Sequence, residues 1–248
     1  MHAIFYILKE VKPYQGVQSS KREQVEQMFD SIAPKYDFLN RFLSLGIDQI
    51  WRKKAINSLK EVNPKQILDV ATGTADLAIA ALKLNPDMVT GIDISNEMLK
   101  VGRKKIDAKK RSNKIVLIHG DSTNLPFEDN KFDAITVAFG VRNFEFLQQG
   151  INQMYRVTKK GGKIAVLEFS KPQQTPFKQL YNFYFKFILP AWGSLISKNQ
   201  TAYTYLPESV QHFPEGEAFA AYLKNAGYQN IHVSPLTFGV CTLYTGIK

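Results

Sequence analysis

A chain of 248 residues, 44% hydrophobic and 12% aromatic, has the apolar content for one large α/β domain and excludes a disordered or low-complexity chain. Its net charge of +10 raises nucleic acid or an anionic membrane surface as partners, but no basic motif interleaved with aromatics points to RNA, and no nucleic-acid partner is expected. The single cysteine, Cys241, excludes an internal disulfide and suits a reducing compartment.

The chain starts with an apolar run, Ala3 to Leu8, that lacks a basic flank and is too short for a signal peptide or a membrane span. Nowhere does a window reach the ~20 apolar residues a membrane helix needs; the nearest, 177–192, is interrupted by Lys178, Gln179, Asn182 and Lys186. The expectation is a soluble, cytoplasmic protein with peripheral contact at the inner face of the cell membrane. Residues 1–20 read as a loose arm, and residues 21–248 as a single domain.

Ser20 and Glu23 have the spacing of a capping box, and Val25, Met28, Phe29 and Ile32 recur at helical intervals through 21–33. Pro34 ends that helix or starts the next. A second helix spans 48–59, with Ile50 and Trp51 on its apolar side. Together residues 21–62 form a helical cap able to fold over whatever follows. Tyr36, Asp37, Asn40 and Trp51 read either as packing residues or as part of a ligand lid.

Residues 66–93 organise the rest. Gln66-Ile67-Leu68-Asp69-Val70 is an apolar run that becomes a small-residue turn, Ala71-Thr72-Gly73-Thr74-Ala75. A helix-like stretch follows, and a second apolar run ends at Gly91-Ile92-Asp93. Strand, tight turn, helix, strand is a βαβ unit of a parallel sheet, and ligands of such sheets sit beyond the carboxyl ends of the strands. A pyrophosphate would require G-x-G-x-x-G and no carboxylates in the way. Here Ala71, Gly73 and Asp76 occupy those positions, and Asp69 adds a further negative charge. The pattern suits an adenosyl ligand with a sulfonium and an amino group but no phosphate, with Asp93 accepting both ribose hydroxyls. S-adenosylmethionine has that chemistry. The plainer reading is a strand-to-helix turn of some other α/β protein.

Beyond Asp93, Ser95 caps a helix to Lys109 that places Met98 and Leu99 near an adenine edge, while Met98 reads equally as core. Lys104, Lys105, Lys109, Lys110 and Arg111 on that helix and its exit read as a solvated face. Strands follow at 115–118, 134–138 and 163–168, with a helix over 145–157. Asp121, at a strand end, can accept from the adenine amine, with Ser122 beside it. Phe139-Gly140-Val141-Arg142-Asn143 follows the fourth strand. Residues 173–212 form an insertion dense in rings, including Phe177, Tyr181, Phe183, Tyr184, Phe185, Phe187, Trp192, Tyr203 and Tyr205. It reads as a lid over a large apolar ligand, or as a helical subdomain packed on itself. A helix over 215–225 and strands at 230–234 and 240–245 close a doubly wound, mostly parallel seven-stranded sheet with the last strand inserted antiparallel.

These segments resemble the menaquinone/ubiquinone biosynthesis C-methyltransferases. The resemblance runs from about Lys21 to the C-terminus. It is carried by Tyr36-Asp37, Leu43-Ser44-Leu45-Gly46, Trp51-Arg52, Asp69-Val70-Ala71-Thr72-Gly73-Thr74, Gly91-Ile92-Asp93 and Leu125-Pro126-Phe127. The later part is carried by Phe139 to Asn143, Gly161-Gly162-Lys163, Leu167 to Pro172 and Tyr203 to Ser209. It implies a class I, Rossmann-like methyltransferase that uses S-adenosylmethionine, without a metal, to methylate a ring carbon of a prenylated quinol such as demethylmenaquinol. It also implies cofactor contacts at Thr74, Asp93, Asp121 and Ser122, alongside Asp69, Gly73 and Met98 from the reading of the turn. Three positions depart from the family pattern: Ala75 where glycine is common, Asp121-Ser122 for an Asn-Ala pair, and Ala138 for a serine.

Methyl transfer to a phenolic ring needs alignment of two reactants and stabilisation of a developing phenolate. Arg142 is the expected stabiliser, or else a structural ion pair that only anchors its loop, with Asn143 orienting the ring or a water. Asp37 or Glu168 is the candidate proton acceptor. Other readings stay open: the benzoquinol of the ubiquinone pathway, another small molecule, or a non-catalytic RNA- or membrane-binding module. A homo-oligomer is compatible with the sequence.

Overall fold

The protein is represented by a computed structural model in which residues 11–184, 187 and 200–248 are described. The apolar start of the chain, Phe185, Trp192 and the ring of Tyr203 therefore lie outside the described residues.

Seven strands form one sheet: β1 (Gln66–Val70), β2 (Met88–Asp93), β3 (Ile115–His119), β4 (Phe132–Ala138), β5 (Thr158–Phe169), β6 (Gln229–Leu236) and β7 (Cys241–Ile247). Their order is β3-β2-β1-β4-β5-β7-β6. β1 to β5 pair in parallel, and β7 lies antiparallel between β5 and β6. The order reverses between β1 and β4, so the loops that follow these two strands lead to opposite sides, which opens a crevice at their carboxyl ends.

Alternation within the strands divides the core in two. Ile67, Val89, Ala134 and Ala165 face helices α3 (Asp48–Asn57), α4 (Asp76–Ala81) and α5 (Asn96–Ala108). Leu68, Ile135, Val137 and Val166 face α6 (Leu147–Val157) and the final helix, Glu217–Ala226. Nearly every strand residue in the centre of the sheet is buried, as expected where both faces are covered.

The expected start of the helical cap is present. α1 (Lys21–Ile32) opens on a full capping box: Glu23 N donates to Ser20 Oγ at 3.2 Å, and Ser20 N donates to Glu23 Oε2 at 2.9 Å. Pro34 falls in a 3-10 turn before α2 (Tyr36–Leu43). α3 differs from the expectation. It packs on the sheet as one of the face helices, with Trp51 buried, while Ile50 points outward at 57% exposure. The insertion contributes α7 (Phe177–Phe183) and α8 (Gln200–His212), so the final helix, Glu217–Ala226, is α9.

Candidate active site

Beyond the carboxyl ends of β1, β2, β3 and β4 lies a cleft of about 850 Å³, its open mouth included. Six of the residues singled out from the sequence line it: Gly73, Asp93, Met98, Asp121, Ser122 and Asn143. The turn after β1 makes the close approach possible. Ala71, Gly73 and Ala75 all have left-handed backbone, with φ of 52°, 54° and 66°. That conformation is costly for alanine, and it is the physical reason a glycine would suit position 75. The turn also needs Gly140 opposite, where an added Cβ would come within 2.5 Å of the Ala71 methyl.

Asp93 ends β2 with its carboxylate held by two amides. Gly73 N donates to Oδ2 at 2.7 Å and Ser95 N donates to Oδ1 at 2.9 Å. Each oxygen keeps a second lone pair for a hydroxyl. Burial pushes its carboxyl up, and the amides pull it back. Met98 is set by the Ser95 cap, whose Oγ accepts from Met98 N at 3.1 Å. Asp121 Oδ1 accepts both Thr123 N and Thr123 Oγ1 at 2.8 Å, while Oδ2 pairs with Arg22 Nε at 2.7 Å. Arg22, 99 positions away on α1, is a lining residue that no sequence signal singled out. Asn143 is buried, and its Oδ1 has no hydrogen-bond partner among the described residues.

Thr74, Asp37 and Asp69 do not line the cleft. Thr74 Oγ1 donates to Asp37 Oδ1 at 2.5 Å, and Lys105 Nζ binds both Asp37 Oδ2 at 2.6 Å and Asp76 Oδ1 at 2.5 Å. This cluster ties α2 to the turn and to α5, and it corrects two expectations. Asp37 is a cap anchor that lines neither cleft, and Lys105 has left the solvated face of its helix. Asp69 lies deeper still. Its oxygens accept Thr72 Oγ1 and Thr136 Oγ1, each at 2.6 Å, and burial raises its carboxyl to about 6.

A second cleft, about 1940 Å³ with its mouth, adjoins the first. It is lined mostly by apolar side chains from α2, α3, α7 and α8, among them Leu39, Trp51, Phe177, Phe183 and Tyr205. Of the residues left between packing and lid, Tyr36, Asn40 and Trp51 line this cleft, and Asp37 does not. Phe29, Tyr36 and Phe139 line both clefts and form the wall between them. Phe139 holds that place with left-handed backbone (φ 60°), its ring stacked on Phe169 at 4.5 Å and faced by the Arg52 guanidinium at 5.5 Å. Strain of this kind in a bulky residue persists only where the surroundings enforce it.

Arg142 lines the apolar cleft beside that wall. Nη1 pairs with Glu168 Oε1 at 2.8 Å and donates to the Phe139 carbonyl. Glu168 also accepts Phe169 N at 2.9 Å and Arg142 N at 3.3 Å. Burial pushes the Glu168 carboxyl up, and Arg142 holds it back. Fully buried behind the guanidinium and lining neither cleft, Glu168 orients Arg142 and is not placed to receive a substrate proton. Arg142 Nε is buried with no hydrogen-bond partner among the described residues.

The first cleft is lined by Asp93, Asp121 and Glu145 against one arginine already paired to Asp121. Carboxylates and an unpartnered amide oxygen accept donors and attract positive charge, and they repel phosphate. The donor set therefore fits an adenosyl ligand carrying a sulfonium and an ammonium.

Residues 17–248 match the model of the ubiE/COQ5 methyltransferase family. The chain is 50% identical over 244 residues to a demethylmenaquinone methyltransferase of Bacteroides fragilis, covering 98% of this chain and 99% of the relative. It is 46% identical over 232 residues to a ubiquinone/menaquinone biosynthesis C-methyltransferase UbiE of Geotalea daltonii, covering 93% and 98%. Among solved structures, a SAM-dependent methyltransferase from Aquifex aeolicus superposes with a TM-score of 0.56 at 16% identity, covering 78% of this chain and 88% of that one. The [4+2]-cyclase SpnF superposes with a TM-score of 0.57 at 18% identity, covering 94% and 97%. These two share the fold, and a fold alone carries no activity.

Proposed function

Because the chain belongs to the ubiE/COQ5 methyltransferase family, we propose that it uses S-adenosylmethionine to C-methylate demethylmenaquinol, giving menaquinol. The observation that carries this reading is the junction of the two clefts. A polar cleft suited to a cationic adenosyl ligand and a larger apolar cleft suited to a prenylated ring share one wall, Phe29, Tyr36 and Phe139. The relatives in Bacteroides fragilis and Porphyromonas gingivalis named for demethylmenaquinone favour a naphthoquinol over a benzoquinol.

Asp93 takes the ribose hydroxyls, Met98 covers the adenine, and Asn143 Oδ1 accepts from the ammonium. When bound, S-adenosylmethionine supplies a methyl group already activated by its sulfonium. The protein's task is alignment and charge. The aromatic wall sets the quinol ring against the polar cleft. Arg142, oriented by Glu168, faces the oxygen that becomes anionic as the ring carbon turns nucleophilic. The ring gains the methyl carbon and loses one proton, which restores its aromaticity.

The prenyl tail leaves by the mouth of the apolar cleft. Leu45 (83% exposed), Leu180 (67%) and Phe238 (66%) ring that mouth, with Phe183 beside them. Large apolar side chains grouped this way mark a docking surface, and a chain of net charge +10 suits an anionic bilayer. Among the described residues no helix is long and apolar enough to cross a membrane. The chain rests on the surface where its substrate resides.

The test is incubation with methyl-labelled S-adenosylmethionine and either reduced demethylmenaquinone or the demethyl benzoquinol of the ubiquinone pathway, followed by mass analysis of the ring. Label on the naphthoquinol ring supports the reading. Label on the benzoquinol alone moves the substrate to the ubiquinone pathway, and label on neither overturns quinol methylation.

A further inference from the structure

Two buried donors at the apolar cleft have no acceptor among the described residues. Tyr205 on α8 is 3% exposed, its ring packed with Val25 and Met28, and it lines the cleft. Its hydroxyl has no hydrogen-bond partner among the described residues, and neither has Arg142 Nε. A buried donor with no partner is a destabilising feature that folded chains rarely retain without a use. The two belong to one place. α8 packs on the turn Val141–Asn143 that carries Arg142. The charges of Arg142 and Glu168 also act on the Tyr205 phenol in opposite directions, while burial pushes it up. The phenol is thus a neutral donor at any working pH. An otherwise apolar cleft whose polar atoms include two unsatisfied donors is made for a ligand that is apolar except for an oxygen.

We propose that Tyr205 Oη–H and Arg142 Nε–H together receive one quinol oxygen, the one adjacent to the ring carbon that takes the methyl group. This inference rests on the quinol reading and adds a second donor to it. Two donors converging on one oxygen form an oxyanion site, stronger toward the phenolate that develops than toward the neutral hydroxyl. Tyr205 then sets both the position of the ring and the ease with which its hydroxyl loses a proton. The phenol proton stays on Tyr205 throughout, and the quinol proton leaves to solvent.

The test is Tyr205→Phe, which deletes one oxygen and nothing else. Because that oxygen has no partner among the described residues, the melting temperature stays equal or rises, and calorimetric affinity for S-adenosylmethionine is unchanged. The kcat for reduced demethylmenaquinone falls by about 100-fold, the size expected for one oxyanion donor. The acidic limb of the kcat–pH profile moves to higher pH. A prenylated naphthalene with no ring oxygen binds wild type and variant equally, a comparison that needs no turnover. Unchanged kcat and pH profile in the variant, with wild type active, overturn the proposal, and so does a rise in KM alone. A weaker grip on the oxygen-free analogue also overturns it, because Tyr205 would then act only by packing. Failure of wild type to methylate any quinol while binding the cofactor overturns the quinol reading itself.

Discussion

Lys105 Nζ lies 2.6 Å from Asp37 Oδ2, joining a helix of the parallel sheet to the helical cap above it. The same ammonium reaches Asp76 at the start of α4 and the Thr74 hydroxyl, so one cation holds the cap, the cofactor turn and α5 together. The role of Asp37 follows from that placement. Asp37→Asn removes one strong partner from a largely buried cluster. It costs about 1–2 kcal/mol, or roughly 2–8 °C in Tm for a chain of this size. Thermal unfolding measures it. The kcat–pH profile keeps its shape, since Asp37 lines neither cleft. Loss of the acidic activity limb in this variant would return Asp37 to the chemistry.

Arg142 cannot be removed cleanly by alanine, because Glu168 is fully buried behind it. Breaking a buried pair from one side costs about 3–5 kcal/mol, so Arg142→Ala loses stability as well as turnover. The double variant Arg142→Gln, Glu168→Gln removes both charges at once. Its Tm recovers most of what the single variant loses, while turnover stays about 100-fold below wild type. Affinity for S-adenosylmethionine is near wild type in both, since Arg142 lines the other cleft. Wild-type turnover in the double variant would exclude the guanidinium from stabilising the phenolate.

Asp93 is the one acidic side chain of the cofactor cleft with both oxygens fixed by backbone amides. Fixed acceptors lose little on binding, and each hydrogen bond between a carboxylate and a hydroxyl contributes about 1.5–3 kcal/mol. Asp93→Ala therefore weakens cofactor binding by about 100-fold or more by titration calorimetry. Asp93→Asn, which keeps one acceptor for Gly73 N, falls between. Equal affinities for all three proteins would place the ribose elsewhere.

The parts of this site that the sequence showed are those governed by local rules. The apolar runs, the Ser20 and Ser95 caps and the left-handed turn at Gly73 are short-range features, and each appears where the pattern put it. Asp93, Asp121, Ser122 and Asn143 follow strands or short turns, and a doubly wound sheet gathers strand ends in one place. The pairings that cross the chain left no trace in it. Arg22 meets Asp121, Lys105 meets Asp37, and Tyr205 reaches the cleft of Arg142 only once the cap and insertion have packed. Periodicity also placed Ile50 inward beside Trp51, though two adjacent residues of a helix cannot both lie at the centre of its buried face.

Asp69 gives the molecule a titration of its own. Its carboxyl is raised from an ordinary 3.8 to about 6 by burial, against the pull of the Thr72 and Thr136 hydroxyls. The folded chain thus holds this proton more tightly than the unfolded chain does. Its contribution is most favourable below the unfolded value and is lost as pH rises through about 6, a span of about 3 kcal/mol. Asp69→Asn has no proton to lose there, and the two threonine hydroxyls can turn to accept from its amide. Urea unfolding of both proteins at several pH values from about 5 to about 7.5 isolates the effect, because every other titration is common to the two. The stability of wild type relative to Asp69→Asn falls across that window. A difference that stays flat would mean that Asp69 is already ionised at the lower end, with its two hydroxyl donors outweighing its burial.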